Sequence, residues 1–155
     1  MTVFILLTAH GLLAAALIGA LTHQSIAMWQ WAPLTRDTFF SRLRALRPAT
    51  YTNAVVVLYV VDFVLGAIIY ATYRIDVRPY LEDTGLLLAA GSFETKEHLS
   101  ALGLGVLPAY WLFWKAPVFA DKAAARKYLT LLLTFYVWWN FLVGHIVNNI
   151  RGLGT

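Results

Sequence analysis

Apolar residues crowd into four stretches of this chain, roughly 3–23, 51–73, 95–114 and 128–147, with polar residues gathered between them. Each stretch matches the about 20 residues that a helix needs to cross the hydrocarbon core of a bilayer. The pattern predicts an all-α fold: residues 1–155 as a single integral membrane domain, a four-transmembrane-helix up-down bundle. Within the second stretch, Asp62 interrupts almost pure hydrocarbon. An ionisable group is expensive there and marks either a functional site or a buried partner.

The segments between the stretches carry their own pattern. Residues 24–50 hold Trp29, Trp31, Phe39 and Phe40 beside Arg36, Arg42, Arg44 and Arg47, the composition of an interfacial segment lying among lipid headgroups. Leu86–Ala90 is too short to span and is expected to cap the bundle or dip into its mouth. The first stretch lacks the basic region that opens a secretion signal, so it reads as a membrane helix.

Composition agrees with this picture. Of 155 residues, 60% are hydrophobic and 13% charged, a balance foreign to a water-soluble domain of this size. The formal charge of +4 is a topology signal. Four arginines lie between the first two stretches, and Lys115, Lys122, Arg126 and Lys127 between the last two, so those loops are expected on the cytoplasmic side. Arg74, Arg78, Lys96 and Arg151 fall on the other side, diluted by acidic residues. Both termini are then outside, periplasmic in a bacterial inner membrane, the expected location. Nucleic-acid binding is not expected. The chain has no cysteine, which excludes disulfides, thiolate metal sites, iron–sulfur clusters and covalently attached haem.

Two halves of the chain resemble one another. Asp62-Phe63-Val64-Leu65-Gly66 matches Asn140-Phe141-Leu142-Val143-Gly144, and Ala32-Pro33-Leu34 matches Ala116-Pro117-Val118. His10 opens the first stretch much as His98 opens the third. The matches keep chain order but need gaps. A tandem duplication would give two helical hairpins related by a pseudo-two-fold axis along the membrane normal.

The four histidines carry the candidate chemistry. His10, His98 and His145 are expected at one depth near the outer face. His23 stands about 20 Å along the helix from His10 and cannot share their site. Two cofactor readings follow: one haem b per chain in the outer leaflet, held by two of the three histidines, or a copper ion held by all three. Haem is favoured because small residues surround the histidines. Gly66 and Gly144 bare the second and fourth stretches, and Ala101 and Gly105 share a helical face with His98. Arg74, Arg78 or Arg151 at the rim would pair with the propionates. Against this, small residues are also the ordinary packing surface of membrane helices. A histidine in the last turn of a membrane helix, as His145 is, is more often an interfacial polar group or hydrogen-bond donor than a ligand, and His98, beside Glu97 and a turn from Glu94, also reads as a solvated helix start. Asp62 and Asn140 form either part of a proton relay or an interhelical hydrogen bond with one another.

With a histidine in the outer part of the first stretch and another in Lys96-Glu97-His98-Leu99-Ser100-Ala101-Leu102-Gly103, the chain resembles the small four-helix membrane b-type cytochromes. That group includes copper-resistance D-like proteins and HemJ-type protoporphyrinogen oxidases. The resemblance covers the whole chain in topology, rests on His10 and His98 in residues, and implies haem b ligation at those two positions. The Trp-x-x-Gly and Tyr-x-x-Arg-Leu signatures of the HemJ type are absent, so porphyrinogen oxidation is not expected.

The expected function is that of a haem b-binding membrane electron-transfer protein, the membrane subunit of a quinone-linked redox complex. Its partners would be the lipid bilayer, a quinone and a membrane or outer-face redox protein, with room for self-association. The alternatives are a cofactor-free structural or assembly subunit, whose six Trp and eight Tyr would serve docking, and a small metal or proton transporter using Asp62 and the outer histidines.

Overall fold

A computed structural model describes residues 2–28, 42, 47–115 and 122–153, with the side chains of 151–153 excepted. Most of the expected interfacial segment, including Trp29, Trp31, Phe39 and Phe40, lies outside the described residues. So do Ala32-Pro33-Leu34, Ala116-Pro117-Val118 and the side chain of Arg151.

The described residues form helices and no strand. Helix α1 is Thr2–Met28. A 3₁₀ turn, Pro48–Tyr51, leads into α2, Thr52–Thr72. This helix widens into a π-turn, Tyr73–Val77, and continues as the short α3, Arg78–Asp83. Helix α4 is Leu87–Lys115 and α5 is Ala123–Leu153. Three segments, Thr2–Met28, Pro48–Asp83 and Ala123–Ile150, are long and apolar enough to cross a membrane. Helix α4 is long enough but carries Glu94, Lys96 and Glu97 in its first half.

Two helices begin earlier than their apolar runs suggest. Leu86–Ala90 is no separate cap: Leu87 already starts α4, eight residues ahead of the expected residue 95. The cause is the corner before it. Thr84 closes the end of α3, its hydroxyl donating to the Tyr80 carbonyl at 2.7 Å, and Gly85 turns the chain at φ +74°, a conformation that suits glycine. The Leu86 amide then closes back onto Leu81 O at 2.7 Å, and the Ala90 amide opens the new helix by donating to Leu86 O at 3.2 Å. Leu-Leu-Ala-Ala, strong helix formers, carry it onward. The same propensity starts α5 at Ala123, within Ala-Ala-Ala-Arg-Lys.

Consecutive long helices run antiparallel, and the ring order is α1, α2, α4, α5. Helix α1 therefore lies diagonally from α4, and α2 from α5. Toward the His23 end the core is built by Leu17, Leu21, Val55, Tyr110, Leu133 and Val137. Hydrogen bonds between helices lock this half. Tyr110 donates to Gln24 Oε1 at 2.5 Å, and Gln24 Nε2 donates to the Pro48 carbonyl at 3.0 Å. Ser25 meets Thr134 at 2.8 Å, Trp114 Nε1 donates to Thr130 at 3.0 Å, and His23 is bonded to Tyr51. Tyr110 and Gln24 are fully buried, so Tyr110→Phe strands the Gln24 oxygen. It is expected to lower stability by about 1–3 kcal/mol, read as a fall in the thermal midpoint in detergent.

A second cluster closes the opposite end. Tyr73, Leu81, Ala90, Val143 and Val147 pack together, joining the π-turn and α3 to α4 and α5. Arg78 clamps the same corner, with Nε 2.7 Å from Glu82 Oε1 and Nη1 2.6 Å from Glu94 Oε1.

Candidate functional site

Between the two clusters the four long helices line an open-sided cavity of about 340 Å³. Its walls are mostly hydrocarbon, yet His10, Asp62, Lys96, Glu97, Asn140 and His145 all line it. Chargeable groups at this density are unusual in a bundle whose outer surface is apolar, and such groups typically mark ion, proton or ligand sites.

Helix α1 delivers His10 and α2 delivers Asp62, and the two meet across the helix contact with Nδ1 2.7 Å from Oδ1. The side chains are 27% and 16% exposed. The approach is close but bent away from good hydrogen-bond alignment, and neither atom has another hydrogen-bond partner among the described residues. Gly66, one turn beyond Asp62, makes room for the ring: a Cβ there would lie 3.4 Å from His10 Cε1 and 3.8 Å from Nε2. A carboxylate this close to Nδ1 favours a proton on that nitrogen over one on Nε2.

Across the cavity α4 and α5 repeat this arrangement with different chemistry. Lys96 lies along Gly144, where a Cβ would sit 3.5 Å from its Cε. Its ammonium reaches Glu97 Oε1 at 2.6 Å and lies 4.3 Å from the Phe93 ring centroid. Asn140 donates to Ser100 Oγ at 2.7 Å, while its own Oδ1 is buried without a partner among the described residues. Tyr59 donates to the Ser100 carbonyl at 3.0 Å. Asp62 and Asn140 thus each reach across a helix interface, Asp62 to His10 and Asn140 to Ser100; the expected bond between the two is not made.

The histidines separate. His10 and His145 line the cavity, His145 from an exposed position and parallel to Phe141. His98 is exposed and does not line it. The reason is helical period: Lys96, Ser100, Gly103 and Leu107 form the inward face of α4, and residue 98 is rotated from residue 96 by about 200°. The stripe expected beneath His98 faces away too, since Ala101 is exposed and Gly105 has nothing within 4 Å of a built Cβ. Among the described residues no three of His, Asp or Glu gather as a metal site requires, so the expected set His10, His98 and His145 is not assembled. A haem held by His10 and His98 does not fit this arrangement either. Of the expected propionate anchors, Arg74 is exposed and donates to Tyr70 Oη at 3.3 Å, and Arg78 is engaged by two glutamates.

Tyr59, Lys96, Glu97, Ser100 and Tyr73 also line the cavity and are not among the site residues expected from the sequence. Lys96 carries a signal, its spacing from Ser100, Gly103 and Leu107. Tyr59, one turn before Asp62, carries another.

The chain matches no protein-family model, no curated protein and no solved structure. Among the described residues the fold and site define an all-helical protein with helices suited to a bilayer and, among them, a mostly apolar cavity that several polar side chains line.

Proposed function

We propose that this chain is the membrane subunit of a quinone-linked redox complex, in which the His10–Asp62 pair takes up and returns the protons that accompany electron transfer. One observation carries the reading: a histidine whose Nδ1 lies 2.7 Å from a carboxylate oxygen, with its other nitrogen beside a glycine, at a cavity between apolar helices. Such a pair accepts a proton at Nε2 because the imidazolium that forms is balanced at once by Asp62. The electrons pass to a one-electron carrier in a partner subunit.

In this reading all four long helices span. The charges of α4 do not forbid it, because Lys96 and Glu97 turn toward the cavity and pair with each other, the usual arrangement for ionisable groups within a membrane domain. The Lys and Arg distribution supports an orientation with both termini outside.

The test uses membranes of the source organism in which the only copy of the chain carries Asp62→Asn or His10→Gln. Quinol-linked electron transfer is expected to fall at least tenfold, with the chain present at its normal level. Unchanged rates in both variants would sink the proposal.

A second reading is a b-type haem in the cavity. It is favoured by one feature, that both His10 and His145 line the cavity and Asp62 on Nδ1 is the partner a ligating histidine ordinarily has. The haem would supply one-electron chemistry, and His10, oriented by Asp62, would set its electron density. A dithionite-reduced minus oxidised spectrum decides it: an α band lost in His10→Ala and in His145→Ala supports haem, and a featureless spectrum from protein made with ample haem removes it.

A further inference from the structure

We propose that the His10–Asp62 pair exchanges protons with one side of the membrane only, the side on which the chain's termini lie, through a mouth between α1 and α5. This rests on the reading above, in which the pair handles protons and all four long helices span, and adds the side and the route.

The cavity occupies one half of the bundle. Among the described residues that line it, none lies nearer the His23 end than Leu17 on α1, Tyr59 on α2, Ser100 on α4 and Val137 on α5. Those four mark its floor. Its mouth shows in exposure: Val3, Leu7, His145 and Asn148 are the exposed residues among those lining it, two on α1 and two on α5, which are neighbours in the ring. Val3 is in the first turn of α1, and Asn148 stands five residues from the end of α5, about 8 Å. The mouth therefore reaches headgroup depth. The capping cluster does not close it, because that cluster takes no residue from α1, and α1 buries no described residue before Ala14.

Water entering there meets the pair and stops at the floor. His10 and Asp62 keep 27% and 16% of their side chains exposed. The other titratable groups lining the cavity are Tyr59, Tyr70 and Tyr73 on the α2 side, Lys96 and Glu97 on α4, and His145 on α5. At the mouth His145 supplies an imidazole, a side chain well suited to shuttling protons. Beyond the floor the chemistry changes. Leu21, Val55, Leu107 and Leu133 come next along the four helices, each at most 4% exposed, and lay about one turn of hydrocarbon across the bundle. Ordered water needs two to four polar partners per molecule, a charge in hydrocarbon is costly, and hydrophobic constrictions in channels close by shedding water. Polar groups at the floor and past it are spent on one another: Tyr59 on the Ser100 carbonyl, Ser25 on Thr134, Tyr110 on Gln24. In turnover His10 Nε2 takes a proton from cavity water, which recovers it from the side of the termini, and gives it back by the same route. The chain moves no net proton across the bilayer.

The chain has no cysteine, so single cysteines report access directly. The experiment places the full chain in sealed vesicles, with protease access to an N-terminal tag fixing its orientation, and applies a charged, membrane-impermeant methanethiosulfonate from one side at a time. The reagent consumes the thiolate, which needs water around it. Gly11 is on the cavity wall with open space at its Cβ; Gly19 has the same space but is exposed and does not line the cavity. Gly11→Cys is expected to label at least tenfold faster from the side of the termini than from the other, and Gly19→Cys from neither. Labelling of Gly11→Cys from neither side, at like rates from both, or faster from the His23 side overturns the proposal. So does labelling of Gly19→Cys as fast as Gly11→Cys, because access would then bypass the cavity. In the unmodified chain no proton flux that depends on Asp62 is expected under an imposed pH gradient, and a flux lost in Asp62→Asn overturns the proposal as well. Failure of the route and failure of the redox role are separable. One-sided labelling with unaffected electron transfer in the Asp62→Asn membranes keeps the route and removes the role, and two-sided labelling with the tenfold loss does the reverse.

Discussion

Gly103→Val is expected to cost about 3 kcal/mol of stability or more, a larger loss than Tyr110→Phe or Asp62→Leu. A Cβ at this position would overlap the Tyr59 hydroxyl and stand 2.8 Å from Tyr59 Cζ and 3.3 Å from Tyr136 Cδ2. Overpacking a core costs about 1–3 kcal/mol by itself. Tyr59, only 4% exposed, would also have to give up its bond to the Ser100 carbonyl, adding the cost of a stranded buried group. The measurement is the thermal midpoint in detergent. Tyr59→Phe in the same background removes the overlapping oxygen and should recover part of the loss. If the double variant is no more stable than Gly103→Val alone, the clash is not with that hydroxyl.

Asp62→Leu is expected to have the largest effect on function and a distinctive effect on stability. Alone, it leaves His10 Nδ1 buried without its partner, a cost of about 1–3 kcal/mol. Adding His10→Leu removes the other half, and replacing both members of a buried polar pair by apolar groups is often neutral or stabilising. The double variant should therefore melt above Asp62→Leu while, under the proposed redox role, electron transfer stays at its lowered level. Stability and activity moving in opposite directions would mark the pair as retained for its chemistry. A double variant no more stable than the single would show that the two residues are not coupled.

Much of the fold is legible in the sequence because run length and hydropathy are strong signals: the apolar stretches around Leu17, Val55 and Val137 each sit inside a long helix. Helix starts are not, because they depend on a corner. Gly85 and Thr84 decide where α4 begins, and the polar residues between Gly91 and His98 separate the apolar Leu87-Leu88-Ala89-Ala90 from the apolar run that the same helix continues into. In the site, Asp62 stands out by its cost in hydrocarbon, and His10, Gly66, Asn140, Gly144 and His145 are found around the same cavity. His98 misleads because depth along a helix takes no account of rotation about it. It shares a depth with Lys96 and Ser100, but the inward face of α4 passes through those two. Tyr73 carries a signal that depth alone does not read: eleven residues after Asp62, it falls within about 20° of it around an ordinary helix.

The π-turn has a consequence for how the chain tolerates change in length. A π-turn is an α-helix holding one residue more than its hydrogen bonding requires. The surplus falls in Tyr73–Val77, where Ile75 is 74% exposed. Removing one residue there would let the backbone relax into ordinary α-helix and swing everything after it by about 100°. Leu81, now fully buried, and the Arg78 clamp would lose their places, while His10, Asp62 and Asn140 would keep theirs. The cap and the cavity are thus phased to one another by a single amino acid.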